Sequence, residues 1–352
     1  MKGADIAFPN IGIYFSNVPK SVSVAGFQIA FYGIIIACGM LLGIVMARWN
    51  AKRTGQNPDI YTDFALWGIL FALIGARAYY VIFSWDSYKD DFMQIFNIRG
   101  GGLAIYGGVI AAVITAIVYC KRKNYNFLKF VDTAVTGLIL GQIIGRYGNF
   151  MNREAFGEYT NSLFAMRLKV DEVNPSSITD AMTEHMQTID GVNYIQVHPT
   201  FLYESVWNLI ILILMILRIK KKAFNGEIFL IYLIGYGIGR CWIEGLRTDQ
   251  LQIGTTGIAV SQVLSAVLAL AGIAAWVLLF RKNKKRTKKI SFNTETICSR
   301  KQLIKREKPL SIGFSLFFYA FVEKFLCLRI PIKWCKMVIK VVRSGGKCHE
   351  VV

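Results

Sequence analysis

The stretch LGQIIGRYGNFMNREAFG, residues 140–157, decides how the rest of the chain is read. It begins as an apolar helix of the kind that crosses a bilayer. Within three turns it gains Arg146, Asn149, Asn152, Arg153 and Glu154. A charged side chain near the middle of a bilayer costs about 2.5–3.5 kcal/mol on insertion scales, so it is normally kept in a protein-lined cavity for a task. The bland reading is an interfacial helix end whose Arg snorkels to the headgroups. For one Arg the two readings weigh equally.

Composition sets the class around this stretch. The 352 residues are 54% hydrophobic and 18% charged. Several apolar runs are long enough to span ~30 Å, which excludes an ordinary soluble domain and predicts an all-α polytopic membrane protein. Seven spans are expected: Phe27 to Ala47, Thr62 to Phe83, Leu103 to Cys120, Val131 to Tyr147, Thr200 to Leu217, Glu227 to Ile243 and Gly257 to Phe280.

Lys and Arg near span ends stay cytoplasmic. Arg48, Lys52 and Arg53 follow the first span and Lys121, Arg122, Lys123 and Lys129 the third. Arg218, Lys220, Lys221 and Lys222 follow the fifth, and a basic run starts at Arg281. All fall on one side, so the N-terminus faces out and the C-terminus is cytoplasmic. No cleavable signal peptide is expected, because the first apolar run starts too far in, lacks a basic start and is too long. Residues 150–199 form the only long connection without a spanning run, read as a small extracytoplasmic cap between spans four and five.

The chain thus divides into a membrane core, 1–280, and a tail, 281–352. The tail holds 19 Lys and Arg against 4 Asp and Glu, so +15 of the net charge of +19 resides there. It should lie on the cytoplasmic leaflet among membrane lipids, with Phe314, Phe317, Phe318, Phe321 and Phe325 spaced as an interfacial amphipathic helix over 310–330. A basic tail beside a membrane does not argue for nucleic acid. The seven cysteines contain no CxxC pair, and His185, His198 and His349 are too scattered for metal-ligand spacing. No metal or other cofactor is expected.

Direction turns the polar residues into a cluster. Spans two, four and six all run outward, and each carries an Arg near its end: Arg77, Arg146 and Arg240. Spans one, three and five run inward and start with Tyr32, Tyr106 and Tyr203. Asn149, Glu154, His198, Glu204, Glu244 and Arg247 join them at the same depth, just under the outer surface. Snorkelling accounts for one Arg there but poorly for three. Guanidinium forks match phosphate oxygens, so the cluster suits an anionic phospholipid head. The carboxylates would orient the arginines, or one would act as a base. Two classes stay open at this point: an enzyme acting on lipid, or a transporter or channel moving an anionic solute.

The motifs narrow the choice. GRYGNFMNREAFG (145–157) resembles the signature of the bacterial prolipoprotein diacylglyceryl transferase family. GGLAIYGG (101–108), HPTFLYE (198–204) and GYGIGRCWIEGLR (235–247) resemble its other blocks, in the family's order and across roughly residues 20–280. The resemblance implies a seven-span enzyme of the bacterial plasma membrane. Such an enzyme moves the diacylglyceryl group of phosphatidylglycerol to the lipobox cysteine thiol of a preprolipoprotein and releases glycerol phosphate. It implies that Arg146 binds phosphatidylglycerol, that Arg240 is the second essential arginine, and that Tyr32, Asn149 and Gly157 are required. One departure stands out: Tyr106 occupies a position where many members have His, the natural base near neutrality. A phenol of pKa ~10 acts so only if lowered, so the resemblance leaves Tyr106 as a hydrogen-bonding group or the proton to Glu154, Glu244 or lipid phosphate.

Overall fold

The computed structural model describes residues 4–24, 26–97, 101–250, 252 and 257–306, with side chains to residue 285 apart from Val24. The expected amphipathic helix at 310–330, together with Gly100, Cys327, Cys335, Cys348 and His349, lies outside the described residues. Residues up to 284 form one compact unit.

In chain order come β1 (Ile6–Phe8), β2 (Ile13–Phe15), β3 (Ser21–Val24), β4 (Phe27–Ala30), α1 (Phe31–Arg53), α2 (Asp59–Phe83), α3 (Ile105–Arg122) and α4 (Phe127–Asn152). Then follow β5 (Met166–Lys169), α5 (Asp180–Glu184), β6 (Gln187–Ile189), β7 (Val192–Val197), α6 (Thr200–Arg218), α7 (Glu227–Glu244) and α8 (Val260–Arg306). Among the described residues six helices are long and apolar enough to cross a bilayer: α1, α2, α3, α4, α6 extended to Lys221, and α8 as far as Lys285. The chain is a polytopic membrane protein. Helix α7 is not among the six, because its 18 residues include Glu227, Arg240 and Glu244.

The first and last spans begin later than expected. Phe27 to Ala30, read from hydropathy as the start of the first span, is strand β4, paired with β3 from Ser21↔Ala30 to Val24↔Phe27. Gly26 at φ 82° supplies the tight turn between them. The last span starts at Val260 rather than Gly257, and its helix continues to Arg306.

The helices turn apolar side chains outward, the reverse of a soluble bundle. On α6, Leu209, Ile213 and Leu217 are exposed one turn apart, while Phe201, Glu204, Ser205, Asn208 and Leu212 form the buried stripe. Association without a hydrophobic drive relies on close backbone approach. Helix α1 carries Gly39 and Gly43, α4 carries Gly137 and Gly141, and the two pairs face each other. A Cβ on Gly43 would lie 2.6 Å from the Gly137 carbonyl oxygen, so neither position tolerates a side chain without the helices parting. This contact fixes α1 against the helix that carries Arg146.

Above the helices sits a five-stranded antiparallel sheet in the order β2-β1-β5-β7-β6. The cap therefore draws on more than residues 150–199: β1 joins it by pairing Ile6 with Leu168 and Ala7 with Arg167. Its core packs Ile6, Phe8, Phe156, Leu168, Met182, Ile195 and Val197. Arg153, 2% exposed, ties this layer to the end of α4. It pairs with Glu172 at 2.7 Å and Asp5 at 3.7 Å and donates to the carbonyls of Met151 and Val18. Its φ of 53° is the left-handed turn that ends the helix.

Candidate functional site

Helices α4, α6 and α7 pack against one another and place the polar ends of their sequences together. Glu204, 2% exposed on α6, sits between two arginines from two other helices. Arg146 Nη2 of α4 lies 2.6 Å from Glu204 Oε1, and Arg240 Nη1 of α7 lies 3.0 Å from Oε2. A buried carboxylate held by one cation on each oxygen offsets the large cost of burying any of the three alone.

The contacts continue on both sides. Arg240 also pairs with Glu244 one turn along α7, and Glu244 accepts from the Ser261 hydroxyl of α8 at 2.7 Å. Arg247 approaches Glu244 at 3.6 Å and grips Asp249 with both arms, at 2.9 and 2.8 Å. On the other side Arg146 Nη1 donates to Asn149 at 3.4 Å, and Asn149 donates to Glu154 at 2.9 Å. One unbroken series therefore runs Glu154, Asn149, Arg146, Glu204, Arg240, Glu244, Arg247, Asp249. Its arginines retain N–H donors not committed to carboxylates, so a phosphate can be added without leaving a buried charge unpaired.

Comparison with known proteins identifies the family of the chain. The family model described as "Prolipoprotein diacylglyceryl transferase" matches residues 19–278. A protein of Finegoldia magna named phosphatidylglycerol--prolipoprotein diacylglyceryl transferase is 46% identical over 252 residues, covering 71% of this chain and 91% of that protein. The chain belongs to the prolipoprotein diacylglyceryl transferase family. Proteins of the same name from Clostridioides difficile and Bacillus cereus are 44% and 43% identical over 259 and 273 residues, covering 94% and 96% of their lengths. The tail beyond residue 278 lies outside the family match.

Other residues singled out from sequence fall into place around the series. Tyr32, at the start of α1, lays its ring on Gly148, where a Cβ would come within 2.7 Å of the ring. This packing sets Tyr32 on the helical turn that carries Arg146 and Asn149. Gly157 donates its N–H to the His198 carbonyl at 3.0 Å, and its neighbour Glu158 donates to Leu246 at 2.8 Å. A Cβ on Gly157 would lie 2.7 Å from the Leu246 oxygen and 2.8 Å from His198 Cβ. Only glycine lets this strand close against the segment that presents Arg247. His198 bonds through Nδ1 to the Tyr203 hydroxyl at 3.2 Å, and burial pushes its pKa down, against the raising influence of Glu158.

Two residues expected in the cluster lie apart from the series. Arg77 does not join the other arginines. Its five N–H groups are all given to backbone carbonyls: Nε to Ile95 at 2.8 Å, Nη1 to Gly101 and Gly102 at 2.9 Å, and Nη2 to Gln94 at 2.6 Å and Asn97 at 3.1 Å. The ring of Tyr88 lies 5.2 Å from its guanidinium carbon. An Arg so occupied has no donor left for a phosphate. Tyr106 is 45% exposed on the first turn of α3, which packs on α2, and no hydrogen bond joins it to the Arg146 series among the described residues. Sequence reasoning passed over Asp249 and Ser261, which complete the series. Asp249 lies outside the apolar runs, and Ser261, inside the last one, carries no charge, so no large cost of burial flagged either.

Proposed function

We propose that this chain transfers the diacylglyceryl group of phosphatidylglycerol to the lipobox cysteine of a preprolipoprotein, with Arg146, Glu204 and Arg240 as the catalytic centre. The reading rests on one observation: two guanidinium groups from separate helices are held on opposite oxygens of one buried carboxylate. The substrate sulfur attacks the glycerol carbon that bears the phosphate, a C–S bond forms, and the C–O bond breaks with its electrons left on phosphate oxygen. The products are a thioether and glycerol phosphate. Negative charge grows on the phosphate as the bond breaks, so contacts from Arg146 and Arg240 strengthen toward the transition state. Glu204 holds both forks in place before the lipid arrives, which removes the cost of ordering them.

The thiol proton needs an acceptor, because a free thiol of pKa ~8.5 is mostly protonated near neutrality. Glu204 and Glu244 are engaged by arginines, whereas Glu154 is exposed and gives only one oxygen to Asn149. Glu154 is therefore the carboxylate with a free oxygen to take the proton. Tyr32, Tyr106 and His198 shape the surrounding surface. Helix α7 supplies the seventh span, its charges shielded by α4, α6 and α8. The enzyme works in the bacterial plasma membrane with its N-terminus and cap outside. Residues 1–280 form the transferase core, and the basic tail 281–352 lies on the cytoplasmic leaflet. No observation favours the transporter alternative.

Purified protein incubated with phosphatidylglycerol and a lipobox peptide should give a peptide heavier by one diacylglyceryl unit by mass spectrometry. Arg146→Ala should still fold and lose transfer by about 10²–10³-fold. Undiminished transfer by that variant would remove Arg146 and its partners from the catalytic centre.

A further inference from the structure

Glu154 sits between two corners that side-chain-bearing backbone does not choose by itself. Arg153 has φ 53° and ψ 50°, and Ala155 has φ 56°. Left-handed backbone is unfavourable for a residue with a Cβ, so it persists only where the surroundings impose it. A glycine would take the first corner freely and is a common way for a helix to end.

Each corner is held from a different part of the molecule. The buried Arg153 guanidinium pairs with Glu172 of the cap at 2.7 Å and with Asp5 of the N-terminal segment at 3.7 Å. It also donates to the carbonyls of Met151, at 2.7 Å, and Val18. Asp5 is itself fixed by the Lys169 ammonium at 2.7 Å and the Val18 N–H at 2.7 Å. At the second corner the hydroxyl of Thr200, buried at the start of α6 one turn before Glu204, donates to the Ala155 carbonyl. Between the corners Glu154 meets Asn149 twice. Its N–H donates to the Asn149 carbonyl at 3.1 Å, and its carboxylate accepts from the Asn149 amide at 2.9 Å.

We propose, on the reading of Glu154 as the proton acceptor, that Arg153 and Thr200 are positioning residues for proton removal from the substrate thiol. The proton passes from sulfur to the open Glu154 oxygen as the C–S bond forms, and leaves from there to water. An acceptor acts only within hydrogen-bond reach of the proton. A shift of about 1 Å can cost about 10²-fold. The Glu154 carboxylate is exposed and held by one side chain, so its precision comes from its backbone. Arg153 supplies that precision from the cap, and Thr200 from the helix that carries Glu204.

The test measures kcat with phosphatidylglycerol and a lipobox peptide at about pH 7 and about pH 9. A thiol of pKa ~8.5 is mostly thiolate at the higher value and needs no acceptor. Arg153→Gly removes the guanidinium but leaves a residue that turns the corner freely. It should lower kcat by about tenfold at the lower pH and return to within about threefold of wild type at the higher, with KM for phosphatidylglycerol little changed. Thr200→Val keeps the side-chain shape without the hydroxyl and should show the same recovery; it decides the matter if Arg153→Gly does not fold. Glu154→Gln should recover likewise from a larger deficit. An undiminished kcat, or a deficit equal at both pH values, in either positioning variant that folds would overturn this inference alone. Glu154→Gln without recovery at the higher pH would remove Glu154 as the acceptor, and the inference with it.

Discussion

Arg77 and Arg146 carry the same signal in sequence and do opposite things in space. Each lies near the C-terminal end of an apolar helix, α2 and α4. Arg77 spends its whole guanidinium on the main-chain carbonyls of Gln94, Ile95, Asn97, Gly101 and Gly102, so it clamps these residues to α2. Arg146 meets the side chains of Glu204, Asn149 and Tyr236, which a ligand can share or displace. The opposite ends of the helices behave like the Arg77 region. Asp132, fully buried on α4, takes the Lys222 ammonium at 2.7 Å and the backbone N–H groups of Gly226 and Phe229 at 2.8 and 3.0 Å, and so caps α7. A buried charge answered by main chain holds the fold. One answered by side chains alone remains available for chemistry.

Experiment can test this contrast directly. The largest effect is expected at Glu204, where both arginines meet. Glu204→Gln leaves two buried guanidinium groups short of a counter-charge and should cost about 3–5 kcal/mol in thermal unfolding, with transfer lost as well. Retention of both stability and transfer would show that the arginines need no shared anchor. Next comes Arg240→Lys, which keeps the charge but cannot fork to Glu204 and Glu244 together. Transfer should fall by about 10²-fold with little change in unfolding temperature.

Arg77→Lys should show the inverse pattern. Several carbonyl contacts are lost, each worth about 1.5–3 kcal/mol as a bond to a charged group, so unfolding is easier. Transfer per folded molecule should stay within about threefold. Collapse of transfer at unchanged stability would place Arg77 back among the lipid-binding arginines.

The smallest effect is in acid. His198 titrates below its usual value in the fold because burial disfavours the charged ring. Its contribution to stability is thus present above about pH 6.5 and declines as pH falls toward the folded value. Unfolding temperature should drop modestly between pH 7.5 and 5.5, and His198→Gln should flatten that slope.

These distinctions mark where sequence was sufficient. Depth was legible, because apolar runs fix where Arg146, Arg240, Glu204 and Glu244 lie along the membrane normal. The family motifs identified which of them belong together. Partner choice was not legible: hydropathy cannot reveal that Gln94, Ile95, Asn97, Gly101 and Gly102 present carbonyls to Arg77. The outer sheet was half legible. Residues 150–199 were recognised as a separate layer, but three-residue strands such as Ile6–Phe8 carry too little pattern to announce a partner far along the chain. The β3–β4 hairpin was absorbed into a span because Phe27 and Ile29 are as apolar as the helix that follows.

The pairing of β1 with β5 also imposes an order of events on biogenesis. Ile6 is synthesised early, yet its neighbour Leu168 follows only after α1 to α4. Until then the leading segment waits with an open edge, as late closure of distant contacts requires. Arg153 draws the same segment onto the end of α4, so the helix bearing Arg146 is locked at its C-terminal tip only once that wait is over.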